Sequence, residues 1–147
     1  MKISDGLNTC RVQVLGRRAP GVLPLHDMLD AEIVVETSFT VGRLKIYFRH
    51  RDLMDWVDSL KSLEKGRDTE WLDQGNGPVI EIKVSDEKNG DIDISVTDGS
   101  GSGVRVSIPL ALDDDWIDRQ RDLLNDVLKA WPSEVMETSA GTYTWRQ

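Results

Sequence analysis

Nineteen residues near the end of the chain, DDDWIDRQRDLLNDVLKAW from Asp113 to Trp131, constrain the fold more than any other stretch. Apolar residues fall at Trp116, Ile117, Leu123, Leu124, Val127, Leu128 and Trp131, the i, i+3, i+4, i+7 recurrence of a helix with one buried face. Both ends are marked. Asp113 or Asp114 accepts hydrogen bonds from the first free N–H groups, the neighbouring carboxylates suit the positive helix end, and Pro132 forbids much continuation. On the other side Asp118, Asp122 and Asp126 recur every fourth residue and, with Asp115, make an acidic ridge facing water. Such a helix needs an apolar surface to lie on, and the rest of the chain has to supply it.

The chain supplies it as strands. Cys10, Val12 and Val14 alternate with Arg11 and Gln13, a half-buried strand of period two. RRAPGVLPLHDML is a connecting loop whose Val22, Leu23, Leu25 and Leu29 pack on the core. Ala31, Ile33 and Val35, then Leu44, Ile46 and Phe48, alternate with charged partners and predict a hairpin turning near Thr37 and Ser38. Leu53, Trp56, Val57, Leu60 and Leu63 switch to the helical period, which ends at Lys65 and Gly66. Thr69 to Leu72 predicts a short strand before the turn cluster QGNGP. Ile80, Ile82 and Val84, then Ile92, Ile94 and Val96, then Val104, Val106 and Ile108 predict an antiparallel meander with turns at SDEKNG and DGSGSG. The expected fold is therefore α+β: a single antiparallel sheet of about six strands with two helices packed on one face and the other face wet. Residues 1–135 form one domain, and residues 136–147 are either a frayed tail or an added strand through Thr142 to Trp145. The halves share a strand, strand, helix rhythm, but their residues do not match well enough to establish duplication.

A chain of 147 residues can bury a continuous core without metal or disulfide staples. Its single cysteine, the absence of an apolar secretory stretch in MKISDGLNTC and the lack of any run of about 20 apolar residues lead us to expect a cytoplasmic protein that does not cross a membrane. The net charge of −8 is uneven: residues 1–51 hold 8 basic and 5 acidic side chains, leaving 10 basic and 21 acidic beyond. An acidic surface repels nucleic-acid backbones and attracts basic protein partners, although it also serves plain solubility. No nucleic acid and no membrane are expected as partners.

No catalytic constellation emerges. Cys10 with His26 or His50 resembles a thiol and its base, but a cysteine in mid-strand on an apolar face is ordinarily an inert core residue. Two histidines and one cysteine make no structural zinc site. Asp91 with Asp93, and the triplet Asp113 to Asp115, lack the spacing and central glycine of a calcium loop. DGSGSG from Asp98 to Gly103 has no lysine and leads into a strand, so it reads as a hairpin loop and not a phosphate cradle. Arg17, Arg18, Arg43, Arg49 and Arg51 form no run with interleaved aromatics. No cofactor is expected. Trp56, Trp116 and Trp131 fall on helical apolar faces, whereas Trp71 and Trp145 sit in polar surroundings where an indole is either a partly buried residue or an interface anchor.

Several stretches in order, LDAEIVVETSF, GRLKIYF, DLMDWVDSLKSLEKGRDTEWLD, SGVRVSIPL and LLNDVLKAWP, resemble an actinobacterial family of uncharacterised small proteins and, more distantly, the WapI-like immunity proteins of polymorphic toxin systems. The resemblance covers roughly Cys10 to Val135 and brings no catalytic residue. It implies a cytoplasmic antitoxin that binds and blocks a toxin domain, often a nuclease. The expected function is thus a stoichiometric protein-binding protein whose acidic surface, Asp115, Asp118, Asp122 and Asp126, meets a basic partner, with Trp71 and Asp73 as a second surface. The alternative is a small-ligand-binding or regulatory domain.

Overall fold

The computed structural model describes every residue except Gln74, Asn76, Glu87, Lys88 and Asn89, so the turns expected at QGNGP and SDEKNG lie in part outside the described residues. Strands β1 (Lys2–Ser4), β2 (Thr9–Arg17), β3 (Leu29–Glu36) and β4 (Val41–Phe48) form one antiparallel meander, followed by helix α1 (His50–Glu64). Strands β5 (Thr69–Trp71), β6 (Val79–Val84), β7 (Asp91–Thr97) and β8 (Arg105–Ala111) form a second meander, followed by helix α2 (Trp116–Ala130). Strands β9 (Val135–Ser139) and β10 (Thr142–Trp145) close the chain as a separate hairpin. The two halves are topologically equivalent.

This corrects the single six-stranded sheet. Among the described residues ten strands in three sheets, of four, four and two strands, replace it. The period-two pattern shows that one face of each strand is buried but not what buries it, and a second sheet serves as well as a helix. Here one core takes the inward rows of both large sheets, Cys10, Ile33, Val35 and Phe48 from the first and Ile80, Ile82, Ile94 and Leu110 from the second. The helices add Leu53, Trp56, Leu60, Trp116 and Leu124. Of the expected inward row, Leu44 and Val106 are only partly buried, and Val104 is 57% exposed because β8 begins one residue after it.

The helices seal sheet edges. Helix α1 lies beside β5 and α2 beside β1. Gln120, only 2% exposed, accepts from the Lys2 backbone N–H at 3.1 Å and donates to the Lys2 carbonyl at 2.7 Å, standing in for a missing neighbour strand. Replacing Gln120 with leucine keeps the volume but orphans both groups. We expect a loss of about 1–3 kcal/mol in urea unfolding, and a variant as stable as the parent would show that water replaces the amide there.

Termination signals hold locally. Gly66 adopts φ +68° and its N–H bonds the Leu63 carbonyl at 2.9 Å, so the α1 helix ends where a left-handed cap was expected. The start of α2 differs from expectation: its N-cap is Asp115, no side-chain hydrogen bond caps it among the described residues, and the backbone N–H that the Asp113 carboxylate accepts, that of Asp115 at 3.1 Å, lies ahead of the helix. Among the described residues no helix is long and apolar enough to cross a membrane.

The added strand expected through Thr142 to Trp145 is β10, which pairs with β9 and with neither large sheet. Asp27, in the loop before β3, accepts from Ser133 Oγ at 2.9 Å and from the Glu134 and Val135 N–H groups, each at 3.0 Å from Oδ2. Arg17 pairs with the same carboxylate at 2.9 Å and donates to the Pro132 carbonyl at 2.8 Å. The Gly21 N–H donates to His26 Nδ1 at 2.9 Å, so the ring proton sits on Nε2, which faces the Glu134 carboxylate. Trp145 meets the His26 ring edge-on.

Candidate functional site

Helix α2 buries Trp116, Gln120 and Leu124 and turns its acidic ridge to solvent, as its spacing requires. Asp118 is held by Arg121 at 2.8 Å, and Arg121 reaches across to Glu64 of α1 at 2.7 Å. Arg119 takes Asp113 at 2.8 Å. Hydrogen bonds from Arg121 and Arg119 hold Glu64 and Asp113 below the usual carboxylate range. Among the described residues Asp115, Asp122 and Asp126 have no ion pair within 4.0 Å. Asp122 and Asp126 instead border a shallow concavity with Lys2, Arg119 and Leu123.

The second expected surface divides. Trp71 is 3% exposed, donates from Nε1 to the Asp52 carbonyl at 2.8 Å and packs 4.9 Å from the Trp56 ring, so the indole is core. Trp71 looked polar in sequence only because the strand around it is three residues long and turns at once, with Leu72 at φ 67°. Asp73 is exposed and borders a concavity with Tyr47, Arg49 and Arg51. Cys10 is fully buried, and that burial pushes its thiol up to about 12, away from any thiolate role near neutrality. His26 serves the hairpin and His50 opens α1, so neither meets Cys10 as a base.

Sequence reasoning missed a feature along β4. Concavities follow one another beside this outer strand: one of about 220 Å³ at Gly42–Leu44, one of about 300 Å³ at Lys45–Tyr47 and one at Tyr47–Arg49. The unpaired side of β4 follows from sheet order, which period-two alternation does not encode.

Two four-stranded meanders around one core, with a helix sealing an edge of each, define a small two-sheet α+β domain. The chain belongs to a family of unknown function, DUF5959, whose model matches residues 1–132. No curated protein matches it. Among solved structures it is similar to the plant transcriptional regulator PBF-2, with 12% identity over 89% of this chain and 80% of that one and a TM-score of 0.51. It also aligns with WHY1 from Arabidopsis thaliana, with 14% identity over 89% and 88% of the two chains and a TM-score of 0.46. The first likeness corrects one expectation. This fold is found in a transcriptional regulator, so net acidity does not exclude nucleic acid as a partner. Net charge describes the whole surface, whereas a nucleic-acid contact needs only a local face.

Proposed function

We propose that the chain is a stoichiometric binding protein of the immunity type, which blocks a toxin domain by presenting the acidic face of α2. One observation carries this reading: among the described residues Asp115, Asp122 and Asp126 have no ion pair, and they stand on the solvent side of a helix fixed from beneath by Trp116, Gln120 and Leu124. Like charges at this spacing cost folding a few tenths of a kcal/mol, roughly, so the arrangement gains little for stability. Carboxylates on a rigid helix suit a cationic groove and speed encounter with it, and the groove of a nuclease is built to hold phosphates. Inhibition by occupancy needs no nucleophile.

The first test is gene neighbourhood. The reading requires a gene for a secreted toxin next to this one, and a metabolic or transcriptional operon in its place counts against it. A toxin domain found there is then the binding partner to use. Co-expression with the parent chain should restore growth. Asp122→Lys with Asp126→Lys should leave the fold intact, slow association about tenfold or more at low salt and flatten its salt dependence. Asp118 is the weaker choice because Arg121 already neutralises it. No rescue by the parent chain counts against immunity, and unchanged association rates move the interface off α2.

A further inference from the structure

Four strands end the two large sheets, β1, β4, β5 and β8, and each could in principle recruit another strand through its unpaired N–H and C=O groups. Three are protected. Gln120 occupies β1, and α1 lies against the three-residue β5. Strand β8 contains Pro109, which has no N–H; Asn8 Nδ2 donates to the Pro109 carbonyl at 3.1 Å, and the Ala111 N–H reaches Asp5 at 3.4 Å. Strand β4 has none of these devices. It runs eight residues without proline, and among the described residues its backbone bonds no element but β3.

The groove beside β4 is already shaped. Opposite Gly42–Leu44 the far wall is mainly apolar, with Val96, Val104 and Val106, and also holds Asp98 and Ser102, which bond each other. Opposite Lys45–Tyr47 it is Leu72, Pro78 and Ser100. The β7–β8 loop in this wall is tied down by Asp98, which accepts from the Gly101 and Ser102 N–H groups at 3.1 and 2.9 Å. Gly99 approaches the Gly77 carbonyl so closely that a Cβ would lie 2.8 Å from it. A fixed wall spares a ligand the cost of ordering it.

We propose that β4 is a binding site for an extended peptide that adds as a fifth strand, with apolar residues alternating with acidic ones. Alternation is imposed by strand geometry: one row of added side chains faces the apolar wall near Leu44 and Val104, and the other lies on the outer face beside Arg43, Lys45 and Tyr47. That outer row selects acid. Lys45 has no ion pair among the described residues, and Arg43 leans toward β3, where it holds Glu32 at 3.1 Å. The same charges disfavour a second copy of this chain, because two-fold antiparallel pairing centred on Leu44 sets Arg43 opposite Lys45 twice. The site is separate from the acidic face of α2, so either can fail alone.

The probe is an end-blocked seven-residue peptide alternating valine and glutamate, titrated into the whole chain and followed by backbone amide shifts and hydrogen exchange. Expected results are protection gained within Gly42–Tyr47, binding weakened about tenfold by Lys45→Glu, and partial recovery when a lysine replaces the facing glutamate of the peptide. N-methylation of alternate peptide amides should abolish binding, because the added strand then loses its donors. Shifts confined to α2, binding indifferent to N-methylation, or β4 protection that tracks chain dimerisation without peptide would each overturn the proposal.

Discussion

Replacing Trp71 with alanine is expected to lower the unfolding free energy by about 3–5 kcal/mol, among the largest effects of any single change in this chain. The indole is 3% exposed, lies between Trp56 and Phe48 with ring centroids 4.9 and 6.3 Å away, and donates to the first turn of α1 through Asp52. It joins the second sheet to the helix that follows the first. Trp71→Phe separates the contributions: it keeps most of the ring but loses the hydrogen bond, for about 1 kcal/mol beyond the lost volume. Trp56→Phe should lack that extra loss, since Trp56 Nε1 is buried with no hydrogen-bond partner among the described residues and removing an unsatisfied donor offsets part of the lost packing. Urea midpoints for the three variants check the order. A Trp71→Ala protein melting with the parent would mean that the indole is not a core residue.

Trp71 also shows where sequence legibility ends. Period-two and period-3.6 patterns located both helices and most strands because burial repeats along the backbone, and Ile33, Ile80, Ile82, Ile94, Trp56 and Trp116 are buried as their spacing requires. Pairing across the fold leaves no such trace. The same apolar row results whether a helix or a second sheet covers it, so two four-stranded sheets read as one. A strand as short as Lys2–Ser4 gives too few residues for alternation; it forms by pairing with Thr9–Arg11 of β2, and the cap on its other edge, Gln120, comes from more than a hundred residues away.

Surfaces follow the same division. The acidic ridge was legible because a helix face is a local property, and Asp115, Asp122 and Asp126 stand where the spacing sets them. The ion pairs that neutralise part of that surface were only partly legible: Arg121 to Asp118 is a neighbour on one helix, whereas Arg121 to Glu64 depends on the meeting of α1 and α2. The open edge of β4 is still less local, because an edge is defined by what does not lie next to it.

Asp27→Ala is expected to undock the closing hairpin at neutral pH while leaving the two-sheet body folded. Its carboxylate is 19% exposed and gathers one guanidinium, one hydroxyl and two backbone N–H groups, all but the guanidinium contributed by Ser133–Val135. Loss of such a set costs about 2–4 kcal/mol, tempered by the remaining exposure, and leaves Arg17, only 10% exposed, without one of its two carboxylate partners. The hairpin touches the body chiefly through the loop around His26, so the loss appears as local opening. Acid should reproduce it in the parent. Burial opposes ionisation of Asp27, but the bonds from Val135, Glu134 and Ser133 and the charge of Arg17 outweigh it and hold the carboxyl below its ordinary value. A depressed folded-state pKa contributes stability that is complete above the unfolded value, about 3.9, and is lost as pH falls through the folded one. Amide exchange across residues 135–145 should therefore accelerate in the variant at pH 7 and in the parent only below about pH 4, with core amides of β3 and β7 still protected in the variant. Equal protection of the hairpin in variant and parent at pH 7 would mean that Val135 and Trp145, and not the Asp27 carboxylate, hold it in place.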